Sequence, residues 1–194
     1  MNQYSEKVFE NQKFTQKEFN QTSFDKGTFS DCSFERCSFI KSVFWNAKFS
    51  SCTFKNCNFQ LVKLDGCRMQ DCLFRECKLV GMDYFKCDKV FFSPEFLECV
   101  MMGCNFSSMK MKGTSFKGSK VRECFFNDTF LGVANFQETD LEGSIFHQTD
   151  LSGSDFRDSK NYSIDPGVNK LKKANFSNPE VLSLLKFLDI KISH

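Results

Sequence analysis

The chain has 194 residues, the size of one ordinary domain. Its 26 Lys plus Arg nearly balance 24 Asp plus Glu, and the net charge of +2 argues against both a strongly basic nucleic-acid binder and a uniformly acidic protein. Set beside one Trp and two His, the 26 Phe and 11 Cys are far from average core usage, so phenylalanine serves one repeated purpose.

The opening Met1-Asn2-Gln3-Tyr4-Ser5-Glu6-Lys7 lacks the basic and apolar regions of a signal peptide, and no apolar run approaches the roughly 20 residues that span a bilayer. Eleven cysteines would indicate a disulfide framework only in a short secreted chain, so the expectation is a cytoplasmic protein with reduced thiols and no membrane contact. From Tyr4, every fifth residue through Tyr84 is apolar or aromatic, beginning Tyr4, Phe9, Phe14, Phe19. The register fails at Lys89, and a second comb starts two residues later, running from Phe91 and Phe96 to Phe156. Together the combs hold 20 of the 26 Phe. Two residues before each comb position lies a small residue; ten of the 11 Cys sit there, and Cys87 continues the first comb where it breaks. The other three positions of each five are mostly polar.

A period of five fits neither an amphipathic helix nor a flat strand. It fits a chain that turns a corner every five residues, with the large and small side chains inward and three side chains outward. Such a unit buries nothing alone and gains a core only by stacking, as in a solenoid. Gly66, Gly81, Gly103, Gly113, Gly118, Gly143 and Gly153, each two residues past a comb position, suit a corner with φ > 0.

Ala134-Asn135-Phe136-Gln137-Glu138, Thr139-Asp140-Leu141-Glu142-Gly143 and Thr149-Asp150-Leu151-Ser152-Gly153 resemble the Ala-(Asp/Asn)-Leu-X-X units of pentapeptide repeat proteins, and the likeness runs from about residue 4 to 159. The resemblance implies an all-β solenoid: a right-handed quadrilateral β-helix of about seven to eight coils, with residues twenty apart in one column. Phe replaces Leu at the centre and Cys replaces Ala beside it, both volume changes within one core. The expected organisation is a β-helix over 1–159, broken near 85–90, and a tail over 160–194.

The gap between Tyr84 and Phe91 reads as a two-residue bulge, with a partner-contacting loop as the alternative. After Phe156 the comb stops, and 161–176 reads as irregular. Asn178-Pro179-Glu180 reads as a helix start, with Asn178 as N-cap, for a helix over about 179–188. Val181, Leu184, Leu185 and Leu188 form its apolar stripe, with Leu182 beside it, and an Ile190-Lys191-Ile192 strand follows. The element either caps the last coil or pairs with its copy in a homodimer. It resembles the C-terminal dimerisation module of quinolone-resistance and microcin B17 immunity type pentapeptide proteins.

No catalytic constellation is visible. The cysteine spacings of 5, 10, 15 and 20 contain no Cys-x-x-Cys and support neither a zinc site nor disulfides, so the thiols read as packing, with no metal and no cofactor. His147 reads as a surface residue, and His194 is terminal. The charge pattern says more. Residues 122–160 carry 3 basic and 8 acidic side chains: Glu123, Asp128, Glu138, Asp140, Glu142, Asp150, Asp155 and Asp158. Corner hydrogen bonds account for Asp140, Asp150 and Asp155; Glu138, Glu142 and Asp158 project outward, with Glu138 and Asp158 in one column. The family resemblance implies that such a band imitates duplex DNA and docks on DNA gyrase or topoisomerase IV, protecting it from a poison; at +2 overall the mimicry is regional, and no direct nucleic-acid contact is expected. A scaffold with no topoisomerase role is the alternative. Trp45, Ile40, Phe125, Phe130 and Ile145 read as outward apolar residues, with 161–176 expected to cover Phe125 and Ile145.

Overall fold

A computed structural model describes residues 3–188 and 190. The corner chemistry sets the architecture. Two residues past nearly every comb position the backbone is left-handed, with φ from +51° to +76°, whether the residue is Asn11, Asp31, Glu138 or one of the seven glycines. At Gly66 the freedom is needed twice: φ is +69°, and a Cβ would run into the Asn46 side chain of the preceding coil. Four such five-residue sides close one coil.

Coils stack in parallel with a repeat of twenty. Phe9 pairs in register with Phe29 and Phe29 with Phe49, while Phe14 pairs with Phe34, and Phe34 with Phe54. The result is a parallel β-solenoid of about eight turns. Short strands such as Thr28–Ser30, Ser33–Glu35 and Asn58–Gln60 line its sides up to Lys120–Arg122; beyond, the sides are mostly turns joined by single bridges such as Phe125 to Ile145 and Asn135 to Asp155.

The core is a set of columns. One is wholly phenylalanine: Phe14, Phe34, Phe54, Phe74, Phe96, Phe116, Phe136, Phe156 and Phe176, with successive centroids 4.7–5.4 Å apart and rings within 21° of parallel. The coil repeat of about 4.8 Å is close to the distance at which stacked rings touch. That match explains why Phe replaces Leu here: each ring meets the ring above, the ring below and the edges of rings on adjoining sides, as Phe34 does with Phe39.

The register break differs in detail from the sequence expectation. Phe92, not Phe91, turns inward and bridges to Met69, while Phe91 stays at the surface under the Arg68 guanidinium, 4.5 Å from its ring centroid. Arg68 Nε also donates to Asp88 Oδ2 at 3.0 Å. Inward residues are therefore eight apart from Tyr84 to Phe92 and four apart from Phe92 to Phe96, a net gain of two. Pro94, with no N–H to offer the next coil, falls inside the shortened side.

The solenoid also runs past residue 159. Asn175–Phe176 pairs with Asp155–Phe156, and Leu151 N–H donates to Lys170 O at 2.9 Å, so 161–176 forms a further coil instead of an irregular cover. Tyr162, Ile164 and Asn169 fill its interior, while Phe125 and Ile145 remain exposed. Asn161 and Pro166 stand where the comb calls for large apolar residues, which hid this coil from the sequence pattern. The terminal element is a 3-10 helix, Glu180–Phe187, and Asn178 does not cap it: Pro179 is the flanking residue and no side chain caps the end. The expected Ile190-Lys191-Ile192 strand lies outside the described residues.

Tyr84 is the odd member of its column. Its ring lies 4.5 Å from Phe106 and stacks on it, but its buried hydroxyl has no hydrogen-bond partner among the described residues. Tyr84→Phe keeps the ring and removes the stranded group, so the unfolding midpoint is expected to rise by the equivalent of about 1–2 kcal/mol. A fall on thermal or urea denaturation would show that the hydroxyl is satisfied.

Candidate interaction surfaces

Buried side chains fill the inside of the coils, and an open surface notch of about 450 Å³ lies beside Ile145, His147, Val168 and Phe187. Among the described residues no three His, Cys, Asp or Glu side chains are grouped to hold a metal, and no helix is long and apolar enough to cross a membrane.

All eleven thiols are free and buried. The small inward position is more than a space-saver, because its side chain donates to the carbonyl of the large inward residue one coil earlier. Cys52 Sγ donates to Phe29 O at 3.4 Å, Cys57 Sγ to Phe34 O at 3.3 Å and Cys77 Sγ to Phe54 O at 3.3 Å. Those carbonyls belong to strand residues, already served by the parallel ladder. Where the acceptor is a turn residue a stronger donor stands in the same place: Ser42 Oγ to Phe19 O at 2.6 Å, Thr149 Oγ1 to Phe126 O at 2.6 Å and Asn169 Nδ2 to Phe146 O at 3.1 Å. Sequence reading took these positions as small and the thiols as packing; the signal it passed over is the shift from mostly Cys to mostly Ser and Thr after residue 104.

Burial pushes the Cys52 thiol up to about 12, and burial likewise raises Cys67 and Cys72. The folded protein is therefore expected to resist a disulfide-exchange reagent such as DTNB at pH 8, with all eleven thiols reacting in guanidinium. Rapid reaction of several thiols in buffer would contradict this packing.

The acidic band divides into groups. Asp140, Asp150 and Asp155 each accept the backbone N–H two residues on, from Glu142, Ser152 and Arg157, as corner chemistry requires. Glu138 and Asp158 lie on the corner that follows the phenylalanine column, and Glu138 also meets Lys117 Nζ at 3.5 Å. Asp140 and Glu142 flank Leu141 on the next side, where Arg122 bridges both. Glu123 and Asp128 occupy two further corners and form no ion pair among the described residues. The band thus wraps the rod instead of lining one face. Glu98 shares the corner of Glu138 and Asp158, with Gly118 between, and Glu76 stands on the same corner one coil before Glu98, where the two-residue register gain conceals it from a count by twenties.

Asp140 is the best-held carboxylate. Burial opposes its charge, yet hydrogen bonds from Asn161 Nδ2 at 2.8 Å and from Arg122 keep its pKa below the usual value. A folded pKa below the unfolded one gives stability that is present above about pH 4 and is lost as pH falls through the folded value. Asp140→Asn should cost about 1.5–3 kcal/mol at pH 7, with the gap to the parent closing near pH 3. Unfolding midpoints at the two pH values check this; an equal gap at both would exclude the ionic contribution.

At the C-terminal end, Glu180 Oε1 accepts the Asn161 N–H at 2.7 Å, Ser183 is buried and Leu184 packs on the core. Val181 and Leu185 are half-buried, while Leu182, Phe187, Leu188 and Ile190 are exposed. The 3-10 period of three separates Leu188 from Leu184, which an α-helical stripe would have joined. The helix therefore covers the last coil and also presents apolar side chains outward.

Two family models match this chain: a pentapeptide repeat region over residues 27–90, and a model of pentapeptide repeats, itself eight copies long, over residues 126–158, together half of the sequence. The chain belongs to the pentapeptide repeat family. No curated protein sequence is significantly similar to it. Among solved structures, this pentapeptide repeat protein matches a trypsin-treated form of QnrB1, a plasmid-mediated fluoroquinolone resistance protein, at 18% identity and a TM-score of 0.50, covering 100% of this chain and 94% of that one. A second trypsin-treated QnrB1 gives 19% identity, a TM-score of 0.49 and coverage of 99% and 93%. HetL from the cyanobacterium Nostoc sp. strain PCC 7120, a pentapeptide repeat protein involved in heterocyst differentiation regulation, gives 11% identity, a TM-score of 0.34 and coverage of 89% and 86%. At these identities the likeness is one of fold.

Proposed function

We propose that this pentapeptide repeat protein works by binding, without covalent chemistry. It docks on DNA gyrase or topoisomerase IV through its acidic C-terminal coils and relieves the effect of an antibiotic or microcin aimed at that enzyme. The observation that carries this reading is the corner ridge of Glu76, Glu98, Glu138 and Asp158, carboxylates that face solvent along a rigid rod. The ridge spans about 19 Å at one coil per 4.8 Å. The fold shared with QnrB1 over the whole length supports the same reading. The exposed Leu182, Phe187 and Leu188 fit a homodimer contact that sets two such rods end to end, in the cytoplasm where gyrase acts.

A second reading, a scaffold with no topoisomerase partner, is favoured by the pairing of Glu138 with Lys117 and of Glu142 with Arg122, which reduces the exposed negative charge. Gyrase supercoiling in the presence of a quinolone or microcin B17, titrated with the purified protein, separates the two. Rescue that is lost in a Glu138→Ala, Glu142→Ala, Asp158→Ala triple variant is the expected result. Neither rescue nor inhibition across a panel of type II topoisomerases would leave the scaffold reading.

A further inference from the structure

Ahead of each large inward residue, the small position forms a column of its own. Beside Phe29, Phe49, Met69 and Met111 that column reads Gly27, Ala47, Cys67, Cys87, Met109 and Thr129. Three consecutive members, Cys67, Cys87 and Met109, are thus soft sulfur donors, 0%, 5% and 0% exposed. The backbone fixes their stacking. Asp88 N–H donates to Cys67 O and Gly66 N–H to Lys86 O, both at 2.9 Å, which sets Cys87 over Cys67. Tyr84 stacks on Phe106, and the turn bonds of Cys87 N–H to Tyr84 O and Met109 N–H to Phe106 O are equivalent, so Met109 stands over Cys87. The two-residue register gain falls between Cys87 and Met109 and conceals their relation from a count by twenties.

The two thiols also differ from the rest in their bonding. Eight of the other nine donate to a carbonyl of the preceding coil, as Cys52 and Cys57 do. Cys67 reaches only Arg68 O, at 3.8 Å, and Cys87 donates to no carbonyl among the described residues. They are the one stacked pair in which neither sulfur is engaged in that way. Burial, and then contact with the Cys87 sulfur, raises the Cys67 thiol above its ordinary value. Parallel stacking spaces the two Cβ atoms by about one coil repeat, 4.8 Å, beyond the roughly 3.8 Å that a disulfide takes. A metal suits that distance better. Two metal–sulfur bonds of about 2.3 Å, set in line, bridge sulfurs one coil apart.

We propose that Cys67 and Cys87 bind one Cu(I) ion between them, with the Met109 thioether as a third and weaker donor. Thiolate and thioether sulfur select soft Cu(I), whereas Zn(II) in a structural site takes four donors. Each thiol gives its proton to solvent, so one Cu(I) and two thiols yield a bis-thiolate complex and two protons, with no change of oxidation state. Cys87 follows the turn Tyr84–Lys86 and is the least buried of the eleven thiols, in the same break segment as the exposed Phe85 and Phe91. Opening of that segment gives the ion its way in. The site is independent of the gyrase reading, which rests on outward charges.

The test is anaerobic titration of the reduced full chain with Cu(I) against the chelator bathocuproine disulfonate. One equivalent per chain should be withheld from the chelator, with a thiolate-to-copper charge-transfer band in the ultraviolet. Cys67→Ser and Cys87→Ser should each abolish this, and Met109→Leu should weaken it roughly tenfold. Cys52→Ser with Cys72→Ser, in a neighbouring column, should leave it unchanged. Serine already fills equivalent places at Ser42 and Ser119, so these variants should keep the fold, as circular dichroism would show. Retention should rise with pH, because binding releases protons, and bound Cu(I) should raise the unfolding midpoint of the parent but not of Cys67→Ser. X-ray absorption of the loaded parent needs no variant: two or three sulfur neighbours and no nitrogen are expected. No retained copper, retention unchanged in Cys67→Ser, loss in the Cys52/Cys72 variant, or a nitrogen-containing or four-sulfur shell would overturn the proposal.

Discussion

The left-handed residue that closes each corner is the constraint on which the rest depends. It costs about 1 kcal/mol wherever the residue is not glycine, and it recurs at every turn of the rod, even at the β-branched Val133. What holds it is the next coil. Corner N–H groups such as those of Gln16, Asp31 and Asn56 donate forward to the carbonyls of Glu35, Ser50 and Arg75, nineteen residues on, so each strained corner is locked by its successor. The coil repeat that results puts inward rings at contact distance, and the phenylalanine column follows from that spacing.

The same repeat distributes hydrogen-bond donors. A carbonyl in a strand side accepts from the parallel ladder, and a thiol is an adequate extra donor. In a turn side the N–H of Gln137 goes to Asn135 Oδ1 and that of Ser152 to Asp150 Oδ1; Phe116 O and Leu131 O accept the turn N–H groups of Ser119 and Ala134, and the Thr139 and Ser154 hydroxyls add a second donor from inside. The thiols of the first half and the hydroxyls of the second thus make the same kind of inward contact to a carbonyl one coil earlier, and hydroxyls serve strand carbonyls too, as Ser119 does Phe96 O and Ser144 does Val121 O.

For function, a filled rod offers no concavity, so specificity lies in which charges and apolar groups face outward on each side and corner. Outward positions are free of core constraints, which is why they differ between sides: carboxylates on the corner of Glu138 and Asp158, apolar and cationic groups around Val100 and Met102, aromatic groups at Trp45 and Phe125. Buried corner aspartates belong to the fold, as Asp140 shows by bonding Asn161 and Arg122, and they contribute to the outward field less than their number suggests.

The period of five, the inward Phe and Cys and the left-handed corners were determined by the sequence alone, because each pentapeptide repeats the same local chemistry and stacking has one register. The place of the break was legible, but not that Phe92 enters the core while Arg68 holds Phe91 outside, since that choice depends on a side chain one coil away. The final coil was missed because Asn161 and Pro166 interrupt the comb, although Leu171 and Phe176 keep the spacing of twenty from Leu151 and Phe156. Tertiary structure alone decided which acids share a corner and which are bound by Arg122 or Lys117. Those ion pairs join residues 18 to 21 apart on neighbouring coils and depend on how far each side chain reaches, while the gain of two shifts only relations that straddle the break, such as that of Glu76 to Glu98.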